Sequence, residues 1–268
     1  MITWFQAVFL GVVQGVTEFL PISSSGHLVL FQHVFGLREP EVLFDVSLHT
    51  GTLIATLIVF KGELGRAFTT SLRALKEWSA GRLTKSEALK FPDVRMVALV
   101  AAGTVPTGIV GLAFKDKLES LFGQPCVVGW MLILTGLIVG GTFFARAGTR
   151  GVAKMSVIDA LLIGLAQGMA IIPGISRSGA TIAAGIFLGM ERSWAGRYSF
   201  LLSIPSILGA MIVSLASQGG SGVGAYSLLL GAAAAGLVGY GSLRILLKII
   251  AGGRFYGFAP YCWLLGVI

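Results

Sequence analysis

Residues 96–114 run for nineteen positions without a charged side chain. A helix needs about 20 apolar residues to cross the hydrocarbon core of a bilayer, and a run of this kind has few other uses. Five further stretches have a similar character, at 44–60, 125–145, 198–216, 225–247 and 256–268. Of the 268 residues, 12% are charged, against about 25% in an average soluble domain. The chain reads as an all-α integral membrane protein, and its 38 glycines suit helices that approach closely in lipid. A formal net charge of +8 would suggest nucleic acid as the partner of a soluble protein. In a membrane protein the placement of charge matters more than its sum, and no nucleic-acid partner is expected. No Lys or Arg precedes Arg38, so the basic start of a cleavable signal peptide is not expected. Cys126 and Cys262 lie in apolar surroundings and are expected to be small buried hydrophobes, neither a disulfide nor a metal pair.

Two regions break the pattern. Residues 4–13 and 28–37 are apolar but short, with Pro21 and "SSSG" between them; residues 157–172 and 180–190 are similar, split by "PGISRSG". Each predicts a helical hairpin that enters the membrane and turns back, with its irregular tip covered by protein or a wet cavity. The basic residues fit this arrangement. If the first hairpin enters and leaves on one side, the loop 61–95 falls on the other with eight Lys and Arg, and continuing the count puts 16 on that second side. Only Arg38, Lys115 and Lys117 fall on the first side, and Arg177 stays inside the second hairpin. The basic side is cytoplasmic, so both termini are expected outside. The expectation is a single membrane domain, 1–268, of six transmembrane helices plus two re-entrant hairpins, with 61–95 as a cytoplasmic loop.

A shift of 153 residues lays "GVVQGVTEFLPISSSG" (11–26) over "GLAQGMAIIPGISRSG" (164–179) without a gap. Gly11, Gln14, Gly15, Ile22, Ser23, Ser25 and Gly26 meet identical residues. Three spans separate the copies, so they enter from opposite faces, as an inverted repeat with halves at about 1–150 and 151–268. Such repeats bring their broken-helix tips together near the midplane. The tips differ in their chemistry. The first carries Glu18 and His27 where the second has Ile171 and Ala180; the second carries Arg177 where the first has Ser24.

Gln14 and Glu18, four apart, share a helix face. Ser23, Ser24 and Ser25 follow, then His27; around Arg177 stand Gly174, Ser176, Ser178 and Thr181. Backbone donors at a helix start, hydroxyls and a forked guanidinium together make a cradle for phosphate. An ionisable group at membrane depth is a functional candidate because it is costly unless paired or wet. The plainer readings are a structural ion pair for Glu18 and Arg177, a core histidine at His27, turn chemistry for Ser23 and Ser25, and backbone satisfaction by Gln14 and Gln167. His33 is read as structural, Asp45 and His49 as residues wet at the end of a span, and Asp159 as a helix cap. A carboxylate facing a polyanion repels it, and a divalent cation between Glu18 and the phosphate oxygens would resolve that. His27 or Ser24 could attack phosphorus, or His27 could activate water.

"QGVTEFLPISSSGH" resembles the (E/Q)xxxE motif and serine loop of the undecaprenyl-diphosphate phosphatases, the bacitracin-resistance family, and "PGISRSGAT" resembles that family's second signature. "FDVSLHTGT" and "YSFLLSIP" are also similar to family sequence, and the likeness runs from about residue 6 to the C-terminus. It implies a bacterial inner-membrane hydrolase that removes the terminal phosphate of a polyprenyl diphosphate. The product is the lipid carrier of peptidoglycan synthesis, and bacitracin resistance follows. It also implies a need for Mg2+ or Ca2+ and a site open to the outer face. Carried over by position, Glu18, Ser24, His27 and Arg177 are the catalytic candidates, with Glu18 the metal ligand. Gln14, Ser23, Ser25, Gly174, Ser176, Ser178 and Thr181 are the substrate-binding candidates. Many members have Glu at the place of Gln14, which shifts metal binding toward Glu18 and substrate oxygens. A homodimer is compatible with the sequence. The rival class is a lipid-phosphate flippase using the same cradle, since inverted repeats with broken helices also build transporters.

Overall fold

A computed structural model describes residues 2–37, 42–114, 121, 124–216 and 223–267. Arg38, Lys115 and Lys117 of the charge count lie outside the described residues. The described chain is helical throughout: α1 (Trp4–Thr17), α2 (Ser24–Val34), α3 (Val42–Val59), α4 (Lys61–Ser79), α5 (Lys85–Ala88), α6 (Pro92–Ala113), α7 (Pro125–Gly141), α8 (Val157–Met169), α9 (Arg177–Phe187), α10 (Arg192–Ala216), α11 (Ala225–Ala251) and α12 (Ala259–Val267). Large apolar side chains such as Ile109, Trp130, Leu229 and Leu237 face outward, an arrangement that suits lipid and not water.

Among the described residues four helices are long and apolar enough to cross a membrane: α6, α7 with its short extension to Phe144, α10 and α11. α3 and α4 form a bent pair, turned by 73° at their junction. The span expected at 44–60 is α3, and the basic loop expected at 61–95 opens with α4. At 256–268, expected as a sixth span, the described residues form a 3-10 turn, Phe255–Phe258, followed by the nine-residue α12.

α1 and α8, of 14 and 13 residues, reach only about 20 Å at 1.5 Å per residue, short of a bilayer core of about 30 Å. Each begins with a capping box, Thr3 with Gln6 and Ser156 with Asp159. Asp159 is thus the cap expected of it, and it also pairs with Arg150 at 2.5 Å. The 153-residue offset returns in the helix boundaries: α1 begins at 4 and α8 at 157, α2 spans 24–34 and α9 spans 177–187. α1 packs against α11 of the other half, and α8 against α6. The repeated glycines are the reason these pairs approach so closely. A Cβ on Gly11 would overlap the carbonyl of Gly231, and one on Gly164 that of Gly103. Neither position admits a side chain.

Cys262 is buried and donates to the Pro21 carbonyl at 3.3 Å. Cys126, expected to be buried, is exposed at the start of α7. His33, read as structural, is exposed in the last turn of α2.

Candidate active site

Both turns end by starting a helix with a serine cap. The Ser23 hydroxyl accepts from the Gly26 amide at 3.3 Å and the Ser176 hydroxyl from the Gly179 amide at 3.1 Å. Each then pairs with the hydroxyl two residues on, Ser23 with Ser25 and Ser176 with Ser178, at 3.2 Å in both copies. The first residues of the two helices are Ser24 and Arg177. Two helix N-termini, each with a partial positive charge, therefore carry the catalytic candidates of their turns. Ser178 also donates to the Leu20 carbonyl at 3.3 Å, tying one turn to the other.

The turns differ in backbone. Ser23 holds φ 67° and ψ 97°, the one left-handed residue other than glycine among the described residues. In the second copy the left-handed residue is Gly174, φ 95°, and a Cβ there would overlap the Val128 carbonyl. Thr135 of α7 clamps this turn, donating to the Gly174 carbonyl at 2.9 Å and accepting from the Ser176 amide at 3.0 Å.

Glu18 is 7% exposed and fully engaged. Its Oε1 forms an ion pair with Arg177. Its Oε2 accepts from the Ser24 hydroxyl at 2.7 Å and from Gln14 Nε2 at 3.1 Å. Gln14 Nε2 also meets Nδ1 of His49 at 3.0 Å, and that nitrogen lies 3.7 Å from Glu18 Oε2. Gln14 Oε1 and Arg177 Nη1 are buried with no hydrogen-bond partner. At Gln14's counterpart, Gln167 Nε2 donates to Thr107 at 3.1 Å and Ser206 at 2.7 Å, while Oε1 is again buried and unpartnered. Both glutamines thus bond to side chains, where the plainer reading expected backbone.

A cavity of about 580 Å³ opens over this group. Glu18, Ser24, Ser25, Ser176, Arg177 and Gln167 line its polar part, and His49 and Asp45 join them from α3. Gly108, Gly111 and Leu112 of α6 and Ile207, Ala210 and Met211 of α10 are among its apolar lining. Of the candidate residues, the structure thus gathers Glu18, Ser24, Ser25, Ser176 and Arg177 on one wall, with Gln14 behind them. Ser23, Gly174, Ser178 and Thr181 shape the turns from beneath, and Thr181 is bonded to the Arg177 carbonyl at 2.8 Å and Ser199 at 2.5 Å.

His27 is not brought to the carboxylate. Its Nδ1 meets the Ser23 carbonyl at 2.8 Å and its Nε2 the Tyr261 hydroxyl at 2.7 Å, and its ring stacks on Tyr261 with centroids 5.7 Å apart. A carbonyl only accepts, so Nδ1 carries the proton and Nε2 accepts from the phenol. The ring nitrogens are both committed to holding the turn and α12 together. His49 was the member sequence reading missed. Its signal was an imidazole in the first half of an apolar helix, inside the stretch "FDVSLHTGT".

Among the described residues no three of His, Cys, Asp and Glu converge on a point that could hold a metal ion. The donors present do suit an ion completed by its substrate. Mg2+ is commonly held by one or two carboxylates, with phosphate oxygens and water filling the rest of its shell. Glu18 supplies the carboxylate, and the unpartnered Gln14 Oε1 supplies a buried neutral oxygen.

These features define an all-helical multi-pass membrane protein in which two short-helix hairpins bring their serine-capped turns together. Residues 7–268 match the family model described as "Bacitracin resistance protein BacA". A protein of Desulforapulum autotrophicum named undecaprenyl-diphosphatase is 48% identical over 266 residues, covering 98% of this chain and 96% of its own. One of the same name from Desulfosudis oleivorans is 47% identical over 262 residues, covering 97% and 95%. A third, from Methanosphaera stadtmanae, is 39% identical over 269 residues, covering 100% and 97%. The chain belongs to the BacA family.

Proposed function

We propose that this chain is an undecaprenyl-diphosphatase, a hydrolase that removes the terminal phosphate of a polyprenyl diphosphate and leaves the monophosphate lipid carrier for cell-wall synthesis. Bacitracin resistance follows from it. The observation that carries this reading is the bond from Ser24 to Glu18, 2.7 Å, beside an Arg177 with one unpartnered nitrogen, on the wall of one cavity. A nucleophile, its base and a phosphate anchor stand within reach of one head group.

The diphosphate enters with its phosphates toward Arg177 and the N-termini of α2 and α9, and Nη1 of Arg177 takes a phosphate oxygen. Glu18 accepts the Ser24 proton as the Ser24 oxygen bonds to the terminal phosphorus. The bond from that phosphorus to the bridging oxygen breaks, and the lipid monophosphate leaves with the electron pair and takes the proton from Glu18. Water then attacks the phosphoserine, its proton passing through Glu18, and the Ser24 oxygen departs and regains a proton as inorganic phosphate forms. Glu18 and Gln14 Oε1 would hold a divalent ion, Mg2+ or Ca2+, which when bound neutralises charge between carboxylate and phosphate. His27 is a positioning residue in this scheme, fixing the Ser23 carbonyl immediately before Ser24.

The cavity walls are the first half of α3 and the last halves of α6 and α10. In the sequence these ends adjoin the segments poor in Lys and Arg, which favours an opening to the outer face with both termini outside. Two inverted halves, about 1–150 and 151–268, account for the matched hairpins.

Release of inorganic phosphate from a polyprenyl diphosphate in detergent micelles tests this. Full-length protein with Mg2+ should release it, and Ser24→Ala should not. Protein that binds the lipid and releases no phosphate belongs instead to the flippase class.

A further inference from the structure

We propose that His49 is a substrate-binding residue, donating from Nε2 to a phosphate oxygen of the diphosphate, and that Gln14 sets the tautomer this requires. The assignment rests on the diphosphate reading above and adds a contact to it.

The orientation of the Gln14 amide is fixed by Glu18. Its nitrogen faces Oε2 of that carboxylate at 3.1 Å, and the reversed amide would set oxygen against oxygen. The same nitrogen reaches His49 Nδ1 at 3.0 Å. An amide nitrogen only donates, so Nδ1 must accept. In a neutral imidazole the proton then resides on Nε2, across the ring. Among the described residues Nε2 of His49 has no partner. The His49 side chain is 36% exposed and lines the same cavity as Arg177. Arg177 flanks Glu18 at Oε1, and His49 flanks it at Oε2. A diphosphate presented to Glu18 therefore meets a guanidinium on one side and an N–H on the other.

The choice of Gln at position 14 matters here. A carboxylate in its place would accept from Nδ1, move the ring proton to that nitrogen, and turn a lone pair toward the phosphate. Gln14 and His49 work as a pair.

The test uses the full chain in micelles with 15N-labelled histidine, since there are only three His residues, and farnesyl diphosphate as the probe. The nitrogen shifts should report the Nε2–H tautomer for His49, and its Nε2 signal should move as the diphosphate is added. His49→Ala should raise KM for phosphate release about tenfold with a smaller change in kcat, the scale of one lost hydrogen bond to a charged group. His49→Gln should recover most of that, because its amide accepts from Gln14 and still donates. An Nδ1–H tautomer, a His49 signal unmoved by the probe, or an unchanged KM in His49→Ala would overturn the proposal. Wild type that moves the His49 signal but releases no phosphate would sink the hydrolase reading and leave this contact standing.

Discussion

Glu18 and Arg177 lie 159 positions apart in the chain and form one ion pair. Each is what its own copy of the repeated turn has and the other lacks, for Ile171 stands at the place of Glu18 and Ser24 at that of Arg177. The repeat thus builds two similar supports and divides the charge between them. The guanidinium is shared, with Nη2 on Glu18 and Nη1 unpartnered. A lysine, with a single compact ammonium, cannot span both places as the planar fork does. Arg177→Lys should lose about 10²-fold in kcat/KM, roughly 3 kcal/mol of transition-state binding. Arg177→Ala should lose more and also destabilise the fold by about 3 kcal/mol, because Glu18 is left buried and unpaired. Adding Glu18→Gln should restore much of the stability and none of the activity. Phosphate-release kinetics beside thermal unfolding separate the two effects; a Lys variant with wild-type kcat/KM would remove the fork from the mechanism.

Ser23 and Ser24 should respond in opposite ways. Ser24→Ala removes the group bonded to Glu18 and should abolish turnover with little change in stability. Ser23 holds a left-handed backbone that costs a side-chain-bearing residue about 1 kcal/mol or more. Its role as N-cap is replaced by Gly at a cost of only a few tenths of a kcal/mol, but by Ala at about 1 kcal/mol. Ser23→Gly should therefore keep or raise Tm, and Ser23→Ala should lower it. If Ala proves the more stable of the two, the positive φ at this position is not what the folded chain adopts.

Tyr261 offers the cleanest measure of what His27 does. Tyr261→Phe deletes the hydroxyl that meets His27 Nε2 and keeps the stacked ring. It should lower stability by about 1 kcal/mol and reduce kcat less than tenfold, against the near-total loss in Ser24→Ala. A fall in kcat as deep as that of Ser24→Ala, without unfolding, would return His27 to the reacting atoms.

The hairpins and the Glu18–Arg177 pair were legible in the sequence because each leaves a mark that survives without coordinates. A helix of 14 residues cannot cross, and a lone buried carboxylate demands a cation, which only the equivalent turn supplied. His49 left no such mark. Whether an imidazole on an apolar helix meets water or Gln14 depends on how α1 and α3 lie together, a matter of packing alone. Asp45, read with it as wet, lines the cavity and accepts from Gln32 Nε2 at 2.9 Å. Composition does not show the 3-10 turn that precedes α12, nor that α12 carries Tyr261 and Cys262 to the first turn.

Glycines that look alike in sequence should divide sharply on substitution. Gly11 and Gly164 each face a carbonyl of the partner helix, which a Cβ would overlap, whereas Gly108 and Gly209 of α6 and α10 meet nothing within 4 Å. Backbone in this contact cannot yield as a flexible side chain can. Gly11→Ala and Gly164→Ala should each cost about 1–3 kcal/mol from overpacking, and the two losses should be similar if α1 on α11 and α8 on α6 are equivalent joints. Gly108→Ala and Gly209→Ala should leave stability unchanged. Thermal unfolding of the four purified variants decides it, and a loss at Gly209 equal to that at Gly164 would mean the wall between α6 and α10 is closed.

The bend between α3 and α4 makes a prediction about sidedness. α3 delivers the chain to a helix turned by 73°, with Phe68, Leu72, Leu75 and Trp78 exposed along it and Arg66 and Arg73 exposed on the same helix. Such a helix suits the plane of the interface, apolar side chains in the acyl boundary and basic ones in the headgroups. Under the positive-inside rule that interface is cytoplasmic. In a Cys126→Ser background, which removes the exposed native thiol, a cysteine at Ala80 should react with an impermeant maleimide only after the membrane is opened. One at Gly36, exposed beyond the end of α2, should react in intact cells. Reaction at both positions from outside would mean that one hairpin crosses the bilayer fully, and the opposed entry of the two turns would have to be abandoned.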